Sequence, residues 1–564
     1  MSHNVGQDAK RVLIIGGYGT FGGWVARLLA PDSRLELMIA GRSLEKAQEF
    51  ALQYPQQAAM TAVRFDRDDD VEAQIRASGA DIVVDASGPF QAYGSDAYRV
   101  AKAAIACNAN YLDLADASKF VVGIEALNRD ACLHNVFALS GVSTCVALSS
   151  AVLRSLSEDL QQIDSFRGGI APSPYSGVGA SVMQAVALSA GKPTNALIDR
   201  KVQEVFPFTD AKRITIAPPG CMPLYPRVFS LVDVPDLLTA QGVEPSVRNV
   251  WFGAAPVPGL YHAVLRALAR VVKRGWLPSL EFLAPIMFRV MRNLAWGEHR
   301  GGMFIEIEGH KNDGSHVTRS WHLIAEGDHG PAIPAMASAA IISQCLDGVL
   351  PQPGARPATN ELTIDAFQPF FQRMNISTGE KFMGDMQGWP IFRRVLGNAW
   401  EQLPNEIMAL HDVSGSRTFN GRAEVTRGSS FLAKIVGRIV GFPPAGVDIP
   451  LTVKMRSDGE HERWTRDFDG HKFASVMAAG TGRTSDLICE RFGPAKFAIA
   501  LVLENDCLKY VPRSWRLLGI PMPLSLAPQG KMLEYVEDSR FHFHVEIKLP
   551  IIGNIVTYQG WLEG

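Results

Sequence analysis

The chain has 564 residues, 47% of them hydrophobic and 20% charged, with a formal net charge of −2, a composition expected of a globular protein of about two to four domains. Without a basic excess to displace counterions from phosphates, general nucleic-acid binding is excluded. Seven cysteines with no CxxC pair, a polar start (MSHNVGQDAKR) and no apolar run of ~18 residues argue against a disulfide or zinc framework, a signal peptide and a membrane span, and predict a cytoplasmic protein.

From Arg11 the chain reads RVLIIGGYGTFGGWVARLLA. Val12–Ile15 are wholly apolar, as in a parallel strand buried on both faces, and Trp24, Val25, Leu28 and Leu29 then recur at helical spacing. Between them Gly17, Gly19 and Gly22 fit GxGxxG, while Gly16, Gly19 and Gly22 fit GxxGxxG. Either count sets bare backbone against a pyrophosphate and aims a helix N-terminus at its charge. Gly16, Gly17, Tyr18, Gly19, Thr20, Phe21 and Gly22 are therefore the expected cofactor loop. A second strand, Leu35–Ala40, ends in Gly41-Arg42-Ser43, where an NAD-binding domain carries an acid for the ribose 2′-hydroxyl. The guanidinium of Arg42 and the hydroxyl of Ser43 suit a 2′-phosphate instead, so NADP is expected ahead of NAD.

Val63-Arg64-Phe65-Asp66 reads as a third strand with Asp66 at the adenine edge, and Asp68–Asp70 as the cap of a helix over Val71–Ala77. Ile82–Val84 form a fourth strand. The turn Ser87-Gly88-Pro89-Phe90 follows at its carboxyl end, the edge that faces the ligand in an open α/β sheet. Ser87, Gly88 and Pro89 are cofactor candidates there; Pro89 either walls the ribose and nicotinamide side or only fixes the turn. Tyr111–Leu114 and Val136–Leu139 continue the series, giving a doubly wound α/β (Rossmann) domain over residues 1–150. The acid–base candidates are Tyr111, Asp113 and Asp116, at or just past a strand end; their alternative roles are a core aromatic, a helix cap and a strand-end turn residue. No GxSxG, HExxH or Ser/His/Asp constellation supports a hydrolase.

GGYGTFG, AGRS, DASGPF, YLDLAD and ALSGVS, in this order, resemble the saccharopine dehydrogenase-like family of NADP-binding proteins over about the first 350 residues. The resemblance implies hydride transfer between nicotinamide C4 and a carbon–nitrogen, carbon–oxygen or conjugated carbon–carbon bond, with the substrate left open.

Residues 151–350 read as an α+β substrate or dimerisation domain. Ser181 is a candidate N-cap for VMQAVALSAG, with Ser176–Ala180 as a small-residue lead-in that can admit an anion. GGMFIEIEGH and VTRSWHLIAEG read as paired antiparallel strands. GPAIPAMASAAIISQCLDG resembles the helix by which family members return to the cofactor domain. In GLYHAVLRALARVVKRGWLPSLEFLAPIMFRVMRNLAW, Tyr261, Val264, Leu265, Leu268 and Val272 share one helical face and Arg266, Arg270 and Lys273 another. Six basic residues against the single Glu281 fit a helix on a membrane surface; a homodimer interface or a lid over an apolar cavity fits as well.

PQPGARPATNE opens a linker over residues 351–388, and a β-rich domain is expected over 389–564. RTFNGRAEVTRG, DIPLTVKMRSD, HERWTRDFDG, HKFASVMAAG and SDLICERFGP alternate polar and apolar residues as an antiparallel sheet or half-open barrel gripping one amphipathic helix, Phe431–Val440. LPNEIMALHDVSGSRTFNGRAEV, RWTRDF and TYQGWLEG resemble a domain of unknown function found behind such oxidoreductase domains in bacteria, which implies no activity. His542, His544 and Glu546 share a strand face that suits either a metal or solvent, and no metal is assigned. The expected function is an NADP-dependent oxidoreductase acting on a small molecule of apolar or lipid-like character; the alternative is a non-catalytic NADP-sensing or lipid-binding module.

Overall fold

A computed structural model describes residues 9–53, 57–177, 179–293, 295–383 and 388–564. Of the stretches read above, residues 1–8, Val178, Leu294 and 384–387 lie outside the described residues. The chain divides into two compact units, Met1–Ile214 with Arg227–Ser377, and Thr215–Pro226 with Thr378–Gly564.

The first unit contains the expected parallel sheet. Its strands are β1 (Lys10–Ile15), β2 (Leu35–Gly41), β3 (Ala59–Arg64), β4 (Ile82–Asp85), β5 (Asn110–Asp113) and β6 (Phe137–Ser140), ordered β6-β5-β4-β1-β2-β3. Val12–Ile15 are buried throughout, as a strand covered by helices on both faces requires. The third strand begins earlier than its sequence pattern and stops before Asp66. Gln74 closes a turn there, accepting the Asp66 N–H at 2.8 Å and donating to its carbonyl at 2.9 Å. The linker expectation is corrected at its start: Gly354–Pro357 runs parallel to β6 as a seventh strand. Four residues carry no readable period, and a strand ending in Pro357 is tolerated at a sheet edge.

A second, mixed sheet in this unit runs Ala211–Ile214, Arg227–Leu231, Val250–Ala254, Leu160–Ala171, Gly301–Lys311 and His316–Ala325 in spatial order. The last two are the expected antiparallel pair. The helix Ala180–Ser189 is capped by Gly179 with no side-chain acceptor, so Ser181 lies inside the first turn rather than at the cap. The helix Ile333–Leu346 packs on α1 (Thr20–Leu29).

The basic stretch forms two helices, Gly259–Lys273 and Ala284–Asn293. Leu265, Ala269, Val272 and Met287 are buried with Met183 and Phe208 in a local core, and Tyr261 and Leu268 pack on it. The single apolar stripe expected from sequence is thereby split, because Val264 lies away from this core and is exposed. Among the described residues no helix is long and apolar enough to cross a membrane.

The second unit is a closed antiparallel barrel, not the half-open sheet its sequence suggests. Ten strands from Ser416–Arg427 to Gly553–Glu563 each bond the next, the short Ile520–Met522 hangs outside the ring, and the last strand returns to the first. The core comes from the segment ahead of the strands: Ile391, Phe392, Leu396, Trp400, Ile407 and Leu410 pack among the strand residues. The helix Phe431–Val440, expected to be gripped, buries only Ala433 and Gly437. Its approach is fixed at Gly437, where any Cβ would fall on the guanidinium of Arg427, and Phe431, Leu432, Ile435 and Ile439 are left exposed.

Candidate active site

The glycine loop joins β1 to α1 in the geometry its spacing predicts. Gly16 adopts φ +76°, and a Cβ there would sit 2.9 Å from the Ala86 carbonyl, so the loop lies directly against the Ser87 turn. A Cβ on Gly22 would fall 2.4 Å from the Gly16 carbonyl, so helix and loop touch only because both lack side chains. The N–H groups of Gly16 and Gly17 both donate to the Ala40 carbonyl, at 2.8 and 3.1 Å, and Gly19 N–H donates to Gly16 at 2.8 Å. Gly19 caps α1 without a side-chain acceptor, and no acid occupies the first turn. The N–H groups of Thr20, Phe21 and Gly22 are thus left to an external anion, as a pyrophosphate requires.

Tyr18 links this loop to the end of β2. Its hydroxyl accepts the Ser43 N–H at 3.1 Å, and its ring covers Gly41, where a Cβ would be 2.5 Å away. Arg42, between them, is exposed and has no hydrogen-bond or ion-pair partner among the described residues. The Ser43 side chain has a second duty the sequence reading lacked, since its Oγ accepts the Lys46 N–H and caps the helix Leu44–Leu52. Asp66 Oδ1 accepts the Asp68 N–H at 3.1 Å, which keeps it in its own turn. The expected cap at Asp70 is present, its Oδ1 accepting the Ala73 N–H at 3.0 Å.

At the carboxyl ends of β4 and β5 stand Asp85 and Asp113, both wholly buried. Asp85 Oδ1 accepts the Ser87 N–H at 3.0 Å and its hydroxyl. The Tyr93 hydroxyl lies 2.9 Å from Ser87 Oγ and 3.3 Å from both Asp85 oxygens. The guanidinium of Arg67 lies 3.2 Å from the Tyr93 ring centroid. Burial raises the pKa of Asp85 even though Ser87, the Arg67 charge and Tyr93 all work against it. The Ser87 hydroxyl is spent within this cluster, which holds the Ser87-Gly88-Pro89 turn and the cis Gly88–Pro89 peptide in place. Neither Asp85 nor Tyr93 nor Arg67 carries a sequence signal that separates it from an ordinary strand-end or loop residue.

The three acid–base candidates separate sharply. Tyr111 is a core residue, 1% exposed and packed among Leu13, Val83 and Val100. Its side chain cannot reach a ligand, and the catalytic expectation for it is corrected: a strand end is visible in sequence, but the face a residue takes is not. Asp113 is corrected in the same way. Its Oδ1 accepts from Ala115 N–H, Ser140 Oγ and Gly141 N–H at 2.9–3.0 Å, tying β5 to β6. Its Oδ2 is buried without a hydrogen-bond partner among the described residues, and burial pushes its pKa up to about 7 against the pull of those three donors. Asp116 alone is exposed. It accepts from Gln91 Nε2 at 3.1 Å, and desolvation by the surrounding protein, with the charge of Asp233, raises its pKa.

A fourth group was not legible in sequence. His299 Nδ1 lies 2.7 Å from Asp328 Oδ2, Asp328 Oδ1 accepts the Ser173 hydroxyl, and the Tyr175 ring stacks on the imidazole at 3.7 Å. Burial works to raise the Asp328 pKa, but the hydrogen bonds of His299 and Ser173 and the charges of His299 and His329 together hold it below the usual carboxylate range. His299 itself is exposed, so an open imidazole is oriented from behind by a carboxylate. Gly179 lies beside the residue that opens α1, where a Cβ would be 3.7 Å from Thr20 Oγ1. His329, next to Asp328 in the chain, meets Trp24 of α1 edge-on at 6.4 Å. Three segments far apart in the chain thus orient the imidazole, and Asp328 adjoins the residue that meets α1.

Residues 12–138 match the family described as Saccharopine dehydrogenase NADP binding domain. Residues 403–562 match Domain of unknown function (DUF4166). No curated protein matches the chain significantly. Among solved structures, the chain is similar to apo histidine-tagged saccharopine dehydrogenase (L-Glu forming) from Saccharomyces cerevisiae, at 15% identity over 67% of this chain and 100% of that one, with a TM-score of 0.49. It is also similar to biliverdin reductase from Synechocystis sp. PCC 6803, in complex with biliverdin and NADP+, at 12% identity over 61% of this chain and 92% of that one, with a TM-score of 0.29. A probable dehydrogenase from Thermotoga maritima is similar at 8% identity over 66% and 98%, with a TM-score of 0.31. On the strength of its matched cofactor domain the chain is an NAD(P)-dependent oxidoreductase, with an N-terminal domain of the saccharopine dehydrogenase NADP-binding family and a C-terminal domain of the DUF4166 family.

Proposed function

We propose that this oxidoreductase uses NADP in preference to NAD and moves hydride to or from a carbonyl, imine or conjugated alkene of an apolar small molecule, with His299 exchanging the accompanying proton. The cofactor preference rests on Arg42, an exposed and unpaired guanidinium at the end of β2 where no carboxylate stands to repel a phosphate. When bound, NADPH supplies hydride from nicotinamide C4. The chain supplies the proton: protonated His299 donates to the substrate oxygen, nitrogen or carbon as hydride arrives, while Asp328 holds the ring and balances its charge. In the reverse direction the neutral imidazole accepts that proton. Asp116, exposed and accepting from Gln91, is the second ionisable group beside the strand ends. The apolar substrate class is supported by the helix ASVMQAVALS, which begins beside Thr20 and presents no charged side chain.

The exposed His299 imidazole, oriented by Asp328 next to the residue that meets Trp24 of α1, is the observation that carries this reading. Its test is the decay of the reduced-nicotinamide absorbance while carbonyl, imine and enoyl compounds of increasing chain length are added. His299→Ala should lower kcat by about a hundredfold or more while NADPH binding is unchanged. NADPH binding with no turnover on any class would leave the non-catalytic sensing module in its place.

A further inference from the structure

A surface helix ordinarily turns its apolar stripe inward and its charges outward. Gly259–Lys273 departs from this. Its inner face is already complete, with His262, Leu265, Ala269 and Val272 buried. The side turned away from that core carries Leu260 and Val264, one helical turn apart. Further on, Trp276 stands in the turn, Phe282 in the short 3-10 turn Glu281–Leu283, Ile286 at the start of the second helix, and Trp296 just past its end. Each of these six is more than half exposed. Around them Arg270, Lys273, Arg274, Arg289 and Arg292 are exposed, and Glu281 is the only acid between Leu260 and Trp296. Two of the cations lie along rings of the same segment, Arg274 at 5.7 Å from Trp276 and Arg292 at 5.9 Å from Phe288, which leaves the charged heads at the surface.

We infer that this pair of helices docks on the surface of an anionic lipid bilayer. Exposed Trp, Phe, Ile and Leu among Arg and Lys, with almost no acid, match the chemistry of the headgroup boundary, where apolar side chains reach the acyl region and cations meet phosphates. A second copy of the chain fits worse. A symmetric contact through this face would set its basic residues against the same basic residues, whereas a bilayer supplies the opposite charge. The contact lies in the plane of the membrane, since neither helix is long enough to span one.

The test uses the full chain with vesicles of phosphatidylglycerol mixed with phosphatidylcholine and, separately, of phosphatidylcholine alone. At low salt the protein should sediment with the first and not the second, and rising salt should release it. The triple variant Arg270→Glu, Lys273→Glu, Arg274→Glu should lower vesicle affinity by about a hundredfold. Trp276→Ser with Ile286→Ser should weaken it at every salt concentration. NADPH binding, retained in both, shows that the variants are folded. No sedimentation with the anionic vesicles, or equal affinity for parent and charge-reversed variant, would overturn the inference. A concentration-dependent dimer in sedimentation velocity that Val264→Glu dissolves would overturn it in favour of self-association.

Discussion

Asp85 and Asp113 stand side by side, in register at the carboxyl ends of adjacent parallel strands, and neither reaches solvent. Two carboxyl groups so placed oppose each other's ionisation, and the Asp85 charge is one cause of the raised pKa of Asp113. In the unfolded chain both would release their protons near the ordinary carboxylate value.

The pH dependence follows from that shift. With its folded pKa near 7 and its ordinary value at 3.8, Asp113 keeps in the native state a proton that the unfolded chain has lost. Its contribution is therefore present at low pH and disappears as pH rises through the folded value. Asp113→Asn should gain on the parent, by on the order of a few kcal/mol, between about pH 5 and about pH 8. Urea denaturation midpoints of both proteins across that range would show it. A difference that does not change with pH would mean that Asp113 is ionised throughout.

Removing the guanidinium of Arg42 tests the cofactor assignment. Arg42→Ala should weaken NADP binding by about 1.5–3 kcal/mol, the scale of a hydrogen bond to a charged group, and leave NAD binding nearly unchanged. Titrations followed by nicotinamide fluorescence separate the two cofactors. Equal losses for both would assign Arg42 to something other than the 2′-phosphate.

Gly22→Ala tests the close approach of α1 to its loop. The new methyl would meet the Gly16 carbonyl at 2.4 Å and Gly17 Cα at 3.0 Å, both backbone atoms that cannot turn aside. We expect a loss of about 1–3 kcal/mol in stability, read as a lower melting temperature, together with weaker NADP binding. A variant that melts and binds like the parent would show that the loop is free to move.

In the barrel, His411 Nε2 lies 2.6 Å from Glu534 Oε2, the Tyr510 hydroxyl donates to Glu534 Oε1 at 2.8 Å, and Phe392 stacks on the imidazole at 3.7 Å. His411 is wholly buried and Glu534 nearly so. Glu534→Ala would leave two buried polar side chains without their acceptor, at a cost of about 3–5 kcal/mol, and Tyr510→Phe about 1 kcal/mol. Denaturation followed by tryptophan fluorescence would report it through Trp464, which lies 5.5 Å from the His411 ring. A Glu534→Ala midpoint equal to the parent's would mean that the pair contributes no net stability.

What could be read in advance was local. Strand, glycine turn and helix follow one another within Lys10–Leu29, so a short window holds the whole signal of the cofactor loop, and Arg42 lies only one strand further on. The dyad at His299 was invisible for the opposite reason. It takes Ser173, Tyr175, His299 and Asp328 from three separate stretches, and nothing in any one of them marks it. Tyr111 failed because alternation along a four-residue strand does not say which face is covered. The helix Phe431–Val440 was recognised as amphipathic, but amphipathicity does not identify the partner. The barrel core had already been supplied by Ile391–Leu410, and only the small residues Ala433 and Gly437 are buried.

The strand Gly354–Pro357 has a consequence for how the protein is made. Synthesis runs from the N-terminus, so β1 to β6 leave the ribosome long before the strand that flanks β6. Until then β6 is an open sheet edge, wholly buried in the finished protein, and open apolar edges invite pairing with other chains. Expression fragments cut at the end of the helix Ile333–Leu346 would leave that edge exposed permanently and should aggregate. Fragments that retain Gly354–Pro357 would have it covered.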